Sequence, residues 1–472
     1  MSILPADPST PESGGGAPAP RHRLRRDYIS GLENVAQTLG TMAPTGTLGV
    51  VIPLVIGKSG NGTWLLILGV VLVFLLILIN INVFATRGAS AGGLGTYAGL
   101  GLGAWSGAFT KWIYVVAMLF GVAGCAPSAA YYACLLISQM SGVPNTPLLG
   151  GTVTAGVVIA AWLIAHRDIK LSSNVMIVIE VASLAVILAI MAIAMRGQSW
   201  VDRPQISLAG AGPSGLSAGL VLAFIMMGGF ESATTLGAES RHAEQTIPRA
   251  LVRCVVPVGI LYVVMTYLLV ALGRRHGIAL DQVDAPFDTL ARAHGMPLLG
   301  AASSLGVATS YFACTLGSLN AGARTLYSLA EDGAFFVGVG SAHPENATPH
   351  RAIAILATLG ILTPSALLVS GVTLVSAIDY LSQLAALGFI GSYFMVCLAA
   401  PFYLRRIGAA ARNATAVSAV SLSLLLLVMA RSLYPAPEGP ARFLPYVFLL
   451  LVAAGLGATG FSRRGRALTP TR

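Results

Sequence analysis

Five ionisable residues stand inside apolar stretches of this 472-residue chain and are the first candidates for chemistry: Glu33, Lys111, Glu180, Glu231 and Asp379. A charge at the centre of a membrane helix costs about 2.5–3.5 kcal/mol on insertion scales. Such a residue persists where it faces a bundle interior or a wet cavity, there to bind, to gate or to carry a proton. Glu231 directly follows Met226-Met227-Gly228-Gly229-Phe230, an interruption in the middle of an apolar run. A second interruption is Met42-Ala43-Pro44-Thr45-Gly46-Thr47-Leu48-Gly49. Pro44 has no amide hydrogen to give, and paired glycines weaken a helix. In hydrocarbon an unpaired backbone group costs several kcal/mol, so an interrupted helix survives only where it lines a polar cavity.

The elements that hold these residues are membrane helices. The chain is 55% hydrophobic and 10% charged, against about 25% charged residues in a soluble protein. Runs long enough to cross about 30 Å of hydrocarbon are read at 31–56, 63–85, 102–125, 147–165, 172–195, 216–238, 250–273, 297–325, 352–371, 376–403, 414–430 and 443–462. The third run can extend back to 93 and on to 140. With the N-terminus inside, 19 of the 28 Lys and Arg residues fall on the cytoplasmic side, 8 on the other and Lys111 within a span. This obeys the positive-inside rule and places both termini in the cytoplasm of a multi-pass cell-membrane protein. The expected organisation is a disordered tail over 1–29, five-helix units over 30–195 and 196–403, two further helices over 404–462, and a tail over 463–472.

The two interruptions lie five spans apart, in corresponding positions of the two five-helix halves. Such a matched pair points to a transport site at the midplane. The half-helix starting near Gly46 is expected to aim free N–H groups at an anion such as a carboxylate. The half-helices ending near Met42 and Met226 offer carbonyls to an ammonium. Packing glycines and a simple proline kink are the alternative reading. Gly95, Gly99, Gly103 and Gly107 repeat every four residues and let another helix approach closely. Lys111 continues that stripe, either paired with an acid or meeting a substrate or ion.

Other functions lack residues to carry them. All seven histidines lie in loops or tails, so no imidazole is placed to ligate haem or an intramembrane metal. No HExxH, GxxxxGK[ST] or Gly-x-Ser-x-Gly motif occurs, which speaks against an enzyme or an ATP-driven pump, and no cofactor is implied. The net charge of +10 sits in loops between spans and does not indicate nucleic acid. The five cysteines fall in or beside apolar runs without CxxC spacing and read as packing residues.

At these residues the chain resembles the amino acid–polyamine–organocation superfamily of permeases, from about Gly31 to Arg406. Gly46-Thr47 looks like the start of that family's Gly-Ser-Gly turn, with Leu48 in place of the last glycine. Gly92-Gly93, Tyr97, Gly103, Gly107 and Trp112 look like its third helix. Gly229-Phe230-Glu231-Ser232, then Glu239 and Ile247-Pro248-Arg249-Ala250, are similar to its most distinctive stretch. Asn320, Arg324, Tyr327, Asp332-Gly333 and Thr348-Pro349 look like its eighth helix and following loop.

The resemblance implies an all-α polytopic membrane protein of about twelve transmembrane helices. It implies a 5+5 inverted repeat with helices 1 and 6 broken, two added C-terminal helices, and alternating access. It also places Met118 and Ser318 near the side-chain end of a substrate, and Ile225 where some cationic-substrate relatives carry a tryptophan. The substrate-binding set is then Ala43, Thr45, Gly46, Thr47, Met118, Ile225, Gly228, Gly229 and Ser318. Glu231, Lys111 and Glu180 are the gating or proton-coupling set. For Glu231 two roles stay open: a lock on the first-span turn through backbone N–H groups, or a proton carrier. Some proton-coupled relatives have a fifth-span lysine, and none stands between Lys170 and Arg196 here. The partners expected are the bilayer, a small-molecule substrate, and H+ or Na+. An α-amino acid fits both ends of the site, and a neutral amino acid or small amine is the expected substrate, a polyamine or organocation permease being the alternative alongside a non-transporting sensor.

Overall fold

In the structure, a computed structural model, residues 23–88, 90–434 and 439–467 are described, with 458–467 as backbone only. Helices α1 (Gly31–Met42), α2 (Pro44–Gly49) and α3 (Val51–Ser59) form one interrupted span, followed by α4 (Thr63–Ala85). Next come α5 (Gly93–Leu102), α6 (Ala104–Ser141), α7 (Pro147–Arg167) and α8 (Ile169–Ala194). The second half contains a short α9 (Arg203–Ile206), α10 (Pro213–Ile225), α11 (Ala243–His276), α12 (Pro286–Ala293) and α13 (Pro297–Glu331). It ends with α14 (His350–Val369) and α15 (Leu374–Arg406), and α16 (Arg412–Leu433) and α17 (Leu444–Ala467) complete the chain. Ten segments among the described residues are long and apolar enough to cross a bilayer. The interrupted spans at α1–α2 and at α10 bring the bundle to the twelve expected. The described residues contain no strand, and the chain is an all-α polytopic membrane protein.

Local signals explain the helix ends. Ser30 caps α1 and exchanges hydrogen bonds with Glu33, whose Oε2 accepts from the Ser30 amide at 2.8 Å. Glu33 is thus half of a capping box. Asp168 caps α8 by accepting from the Lys170 amide at 2.9 Å. Asp168 also accepts from the Tyr28 hydroxyl at 2.7 Å, and that hydrogen bond raises the Tyr28 phenol above its ordinary value.

Three boundaries differ from the sequence reading. Residues 23–29, expected in the disordered tail, pack on the body: Leu24 and Ile29 are buried, and Ile29 forms a backbone bridge with Ser240. The remainder of that tail lies outside the described residues. The last helix continues to Ala467, past the expected end at 462.

The third difference concerns the glycine stripe. Gly103 takes φ +100° and ends α5, so α5 and α6 are separate helices folded back on one another. Gly99 faces Gly107 across this hairpin, where an added Cβ on Gly107 would meet the Gly99 Cα at 3.0 Å. The four-residue spacing therefore serves a glycine-on-glycine hairpin, in place of one continuous stripe.

The core sits around α6 and α13, whose inner turns are nearly all buried. α16 and α17 lie outside and present Leu426, Leu427, Leu449 and Leu450 outward. α17 is tied to α6 by the Trp112 indole N–H, which donates to the Leu451 carbonyl at 2.9 Å.

Candidate functional site

The first interruption is a single residue wide. Ala43 adopts a left-handed conformation, φ 44° and ψ 62°, between α1 and α2, and Pro44 opens α2 where no amide hydrogen is needed. The second is broader. α10 stops at Ile225, Gly229 takes φ +88°, and a 3-10 turn runs over Ser232–Leu236. The two are packed together, since a Cβ on Gly229 would stand 2.5 Å from the Thr41 side chain.

A cavity of about 600 Å³ lies beside them. Ala43, Thr47, Ile225, Gly228 and Ser318 from the expected binding set are in its wall. Thr45, Gly46, Met118 and Gly229 are buried outside it. Met118 instead packs against Gly322 of α13, and its neighbours Gly121, Gly124 and Cys125 face the cavity. Lys58, Asp281, Asp284 and Asp379 line the cavity at the face opposite the N-terminus.

The orphan backbone groups at the interruptions have found protein partners. The Gly46 amide donates to Ser310 Oγ at 3.0 Å, and the Ser310 hydroxyl donates to Glu180. At the second interruption the Gly229 amide donates to the Tyr393 hydroxyl at 3.3 Å, which donates to Glu231 Oε2 at 2.5 Å. Each is the same chain of groups: glycine amide, hydroxyl, buried carboxyl. Each carboxyl has a second polar neighbour, Thr45 beside Glu180 and Tyr114 beside Glu231, neither in well-aligned hydrogen-bond geometry.

This corrects two expectations. The amides at the start of α2 turn towards Ser310 and Glu180, not towards an anion in the cavity. Glu231 is held by Tyr393 of α15, and it is Glu180 that stands behind the first-span turn. Sequence reasoning missed Ser310 and Tyr393, because a lone hydroxyl in an apolar run carries no spacing signal.

The carbonyls at the end of α1 also have donors. Thr41 O accepts from the Cys314 thiol at 3.1 Å, and Met42 O accepts from the Thr47 hydroxyl at 3.3 Å. A carbonyl oxygen has two lone pairs, so each retains an acceptor position.

Between the interruptions and the face carrying the N-terminus lies a fully buried ion pair, Arg324 Nε to Glu239 Oε2 at 2.5 Å. The sequence reading has Arg324 at the cytoplasmic end of the eighth span; in the structure it lies within α13 and is 1% exposed, with its charge met by Glu239.

Lys111 is also distant from the substrate-sized cavity. Its Nζ donates to Ser328 Oγ at 2.8 Å and Asp332 Oδ2 at 2.6 Å, beside a second cavity of about 750 Å³ at the N-terminal face. Of the two readings left open, the paired one describes it. Among the described residues no cluster of three or more His, Cys, Asp or Glu side chains is arranged for a metal ion.

Helices broken at a shared cavity are the architecture of a carrier, and sequence comparison identifies the family. The family described as amino acid permease matches residues 34–433. The chain belongs to the amino acid permease family. Uncharacterized transporters of Mycobacterium tuberculosis and Mycobacterium bovis are 25% identical over 328 residues, covering 68% of this chain and 70% of theirs. This permease is therefore a multi-pass membrane transporter with a small-molecule substrate.

Proposed function

We propose that the permease moves an amino acid or related small amine by alternating access, with substrate held in the cavity beside the two interruptions. The observation that carries this reading is the meeting of both interruptions at one cavity, with Thr41 and Met42, whose carbonyls end α1, among its lining residues. An ammonium group suits these carbonyls. Ile225, Gly228 and Phe389 supply an apolar wall for a side chain, with Ser318 as a nearby hydroxyl.

The ammonium end is the better supported half of the ligand. Among the described residues no arginine lines the cavity, and its only lysine is Lys58. A small amine without a carboxylate is thus the second reading, favoured by the amides of α2 turning away from the cavity and by the three aspartates near its opening.

Coupling is assigned to Glu180 and Glu231. Each is buried and is joined through one hydroxyl to a backbone amide at an interruption. A change in protonation, or Na+ in place of a proton, alters the hydroxyl's orientation and so the hold on the turn. In this reading the N-terminal face is cytoplasmic, in keeping with the excess of basic residues on that side.

The test is a thermal-shift screen of the purified full chain with matched pairs, each amino acid beside its decarboxylated amine. A ligand that binds the folded state raises the melting temperature. Hits then enter proteoliposome uptake under imposed H+ and Na+ gradients. Saturable, gradient-driven accumulation supports the carrier, binding without flux supports a sensor, and equal shifts for both members of a pair support the amine reading.

A further inference from the structure

The cavity wall contains a pair of thiols in mutual contact to which the transport reading assigns no joint role. Cys125 of α6 and Cys314 of α13 are 189 positions apart in sequence, yet their Sγ atoms are 3.0 Å apart. Both line the cavity, Cys125 half-buried and Cys314 buried. Cys134, Cys254 and Cys397 are buried and lie outside the cavity wall. Only this pair combines mutual contact with access from the cavity, which sets it apart from cysteines used as packing.

We propose that Cys125 and Cys314 form a dithiol modification site for peroxide-class oxidants that enter the substrate cavity. The chemistry balances with hydrogen peroxide as the oxidant. The more accessible Cys125, as thiolate, attacks one peroxide oxygen, and the O–O bond breaks. This gives a sulfenic acid and hydroxide, which takes up the displaced thiol proton as water. Cys314 then attacks the Cys125 sulfur, the S–O bond breaks, and a second water leaves with the Cys314 proton. Two thiols and one peroxide become one disulfide and two waters.

The consequence for the site follows from what Cys314 does in the reduced state. Its S–H is the donor to Thr41 O at the end of α1, one residue before Met42. Disulfide formation consumes that hydrogen and leaves the carbonyl beside the interruption without its protein donor. It also ties α6 to α13 across the cavity wall. Both effects act on the groups proposed above to receive the ammonium end of the substrate, so this consequence rests on that reading, whereas formation of the bond does not.

The experiment uses the full chain in proteoliposomes, treated with hydrogen peroxide, alkylated, digested and mapped by mass spectrometry. A mixture of radiolabelled neutral amino acids and small amines is the uptake probe in parallel. The expected map has one disulfide joining the Cys125 and Cys314 peptides, reversed by dithiothreitol, and absent in Cys125→Ser and Cys314→Ser. Uptake is expected to fall roughly tenfold on oxidation, the scale of leaving one buried carbonyl unsatisfied, and to recover on reduction. Each serine variant should resist peroxide relative to its own untreated activity. Full alkylation of both cysteines after peroxide, or separate over-oxidation without a bridge, overturns the site. An intact bridge with unchanged uptake overturns its effect on transport. If the untreated protein moves none of the probes, the transport reading fails while the mass map still decides the dithiol.

Discussion

The two interruptions solve one problem in different ways. At the first, a single left-handed alanine and a proline separate two helices, and the acid that completes the hydrogen-bond chain is Glu180 on a distant helix. At the second, a run of glycines and a 3-10 turn separate the halves, and the acid Glu231 belongs to the turn itself. The hydroxyl comes from α13 in one case and α15 in the other. What is shared is the sequence of groups from amide to hydroxyl to carboxyl, and what differs is which helix supplies each. The lesson is that a broken membrane helix needs a named donor or acceptor for every freed backbone group, and the protein recruits it wherever packing brings one.

The largest contrast should come from the backbone. Gly229→Ala places a Cβ at φ +88° and 2.5 Å from the Thr41 side chain. Left-handed strain and overpacking together predict a loss of about 2–4 kcal/mol, read as a lower melting temperature and reduced membrane yield. Ala43→Gly is the mirror test, since φ 44° is already unfavourable for alanine. It should leave stability unchanged or raise it by up to about 1 kcal/mol. Similar losses in both variants would erase the distinction between the interruptions.

Between these extremes lie the hydroxyls. Ser310→Ala and Tyr393→Phe each leave a buried amide and a buried carboxyl without their shared partner. Each should cost about 1–3 kcal/mol by thermal denaturation. A loss at one position alone would show that the two chains are not equivalent. The smallest effect on transport is expected from Lys111→Met, remote from both interruptions: stability falls, while substrate range and pH dependence of uptake stay as in the wild type.

Much of the fold was legible because lipid imposes a coarse rule, long apolar runs bounded by charge. The interruptions at Ala43-Pro44 and Gly228-Gly229 were legible because proline and paired glycines act locally. The partners were not. Ser310 and Tyr393 are ordinary side chains made important by the helix opposite, and Glu180 stands more than a hundred residues from Ser310. The glycine stripe misled because a period of four looks the same on one helix as on a hairpin closed at Gly103. The Arg324–Glu239 pair was not legible, because its two members are 85 positions apart in sequence.

The central claim is that buried carboxyls tied to the two interruptions couple an ion to transport. Its most direct test is the pH profile of gradient-driven uptake in proteoliposomes for the wild type, Glu180→Gln and Glu231→Gln, using a substrate found by thermal shift. The account predicts saturable, pH-dependent accumulation by the wild type. It predicts variants that reach the membrane but lose either accumulation or its response to pH. Wild-type uptake with an unchanged pH profile in both variants would contradict it.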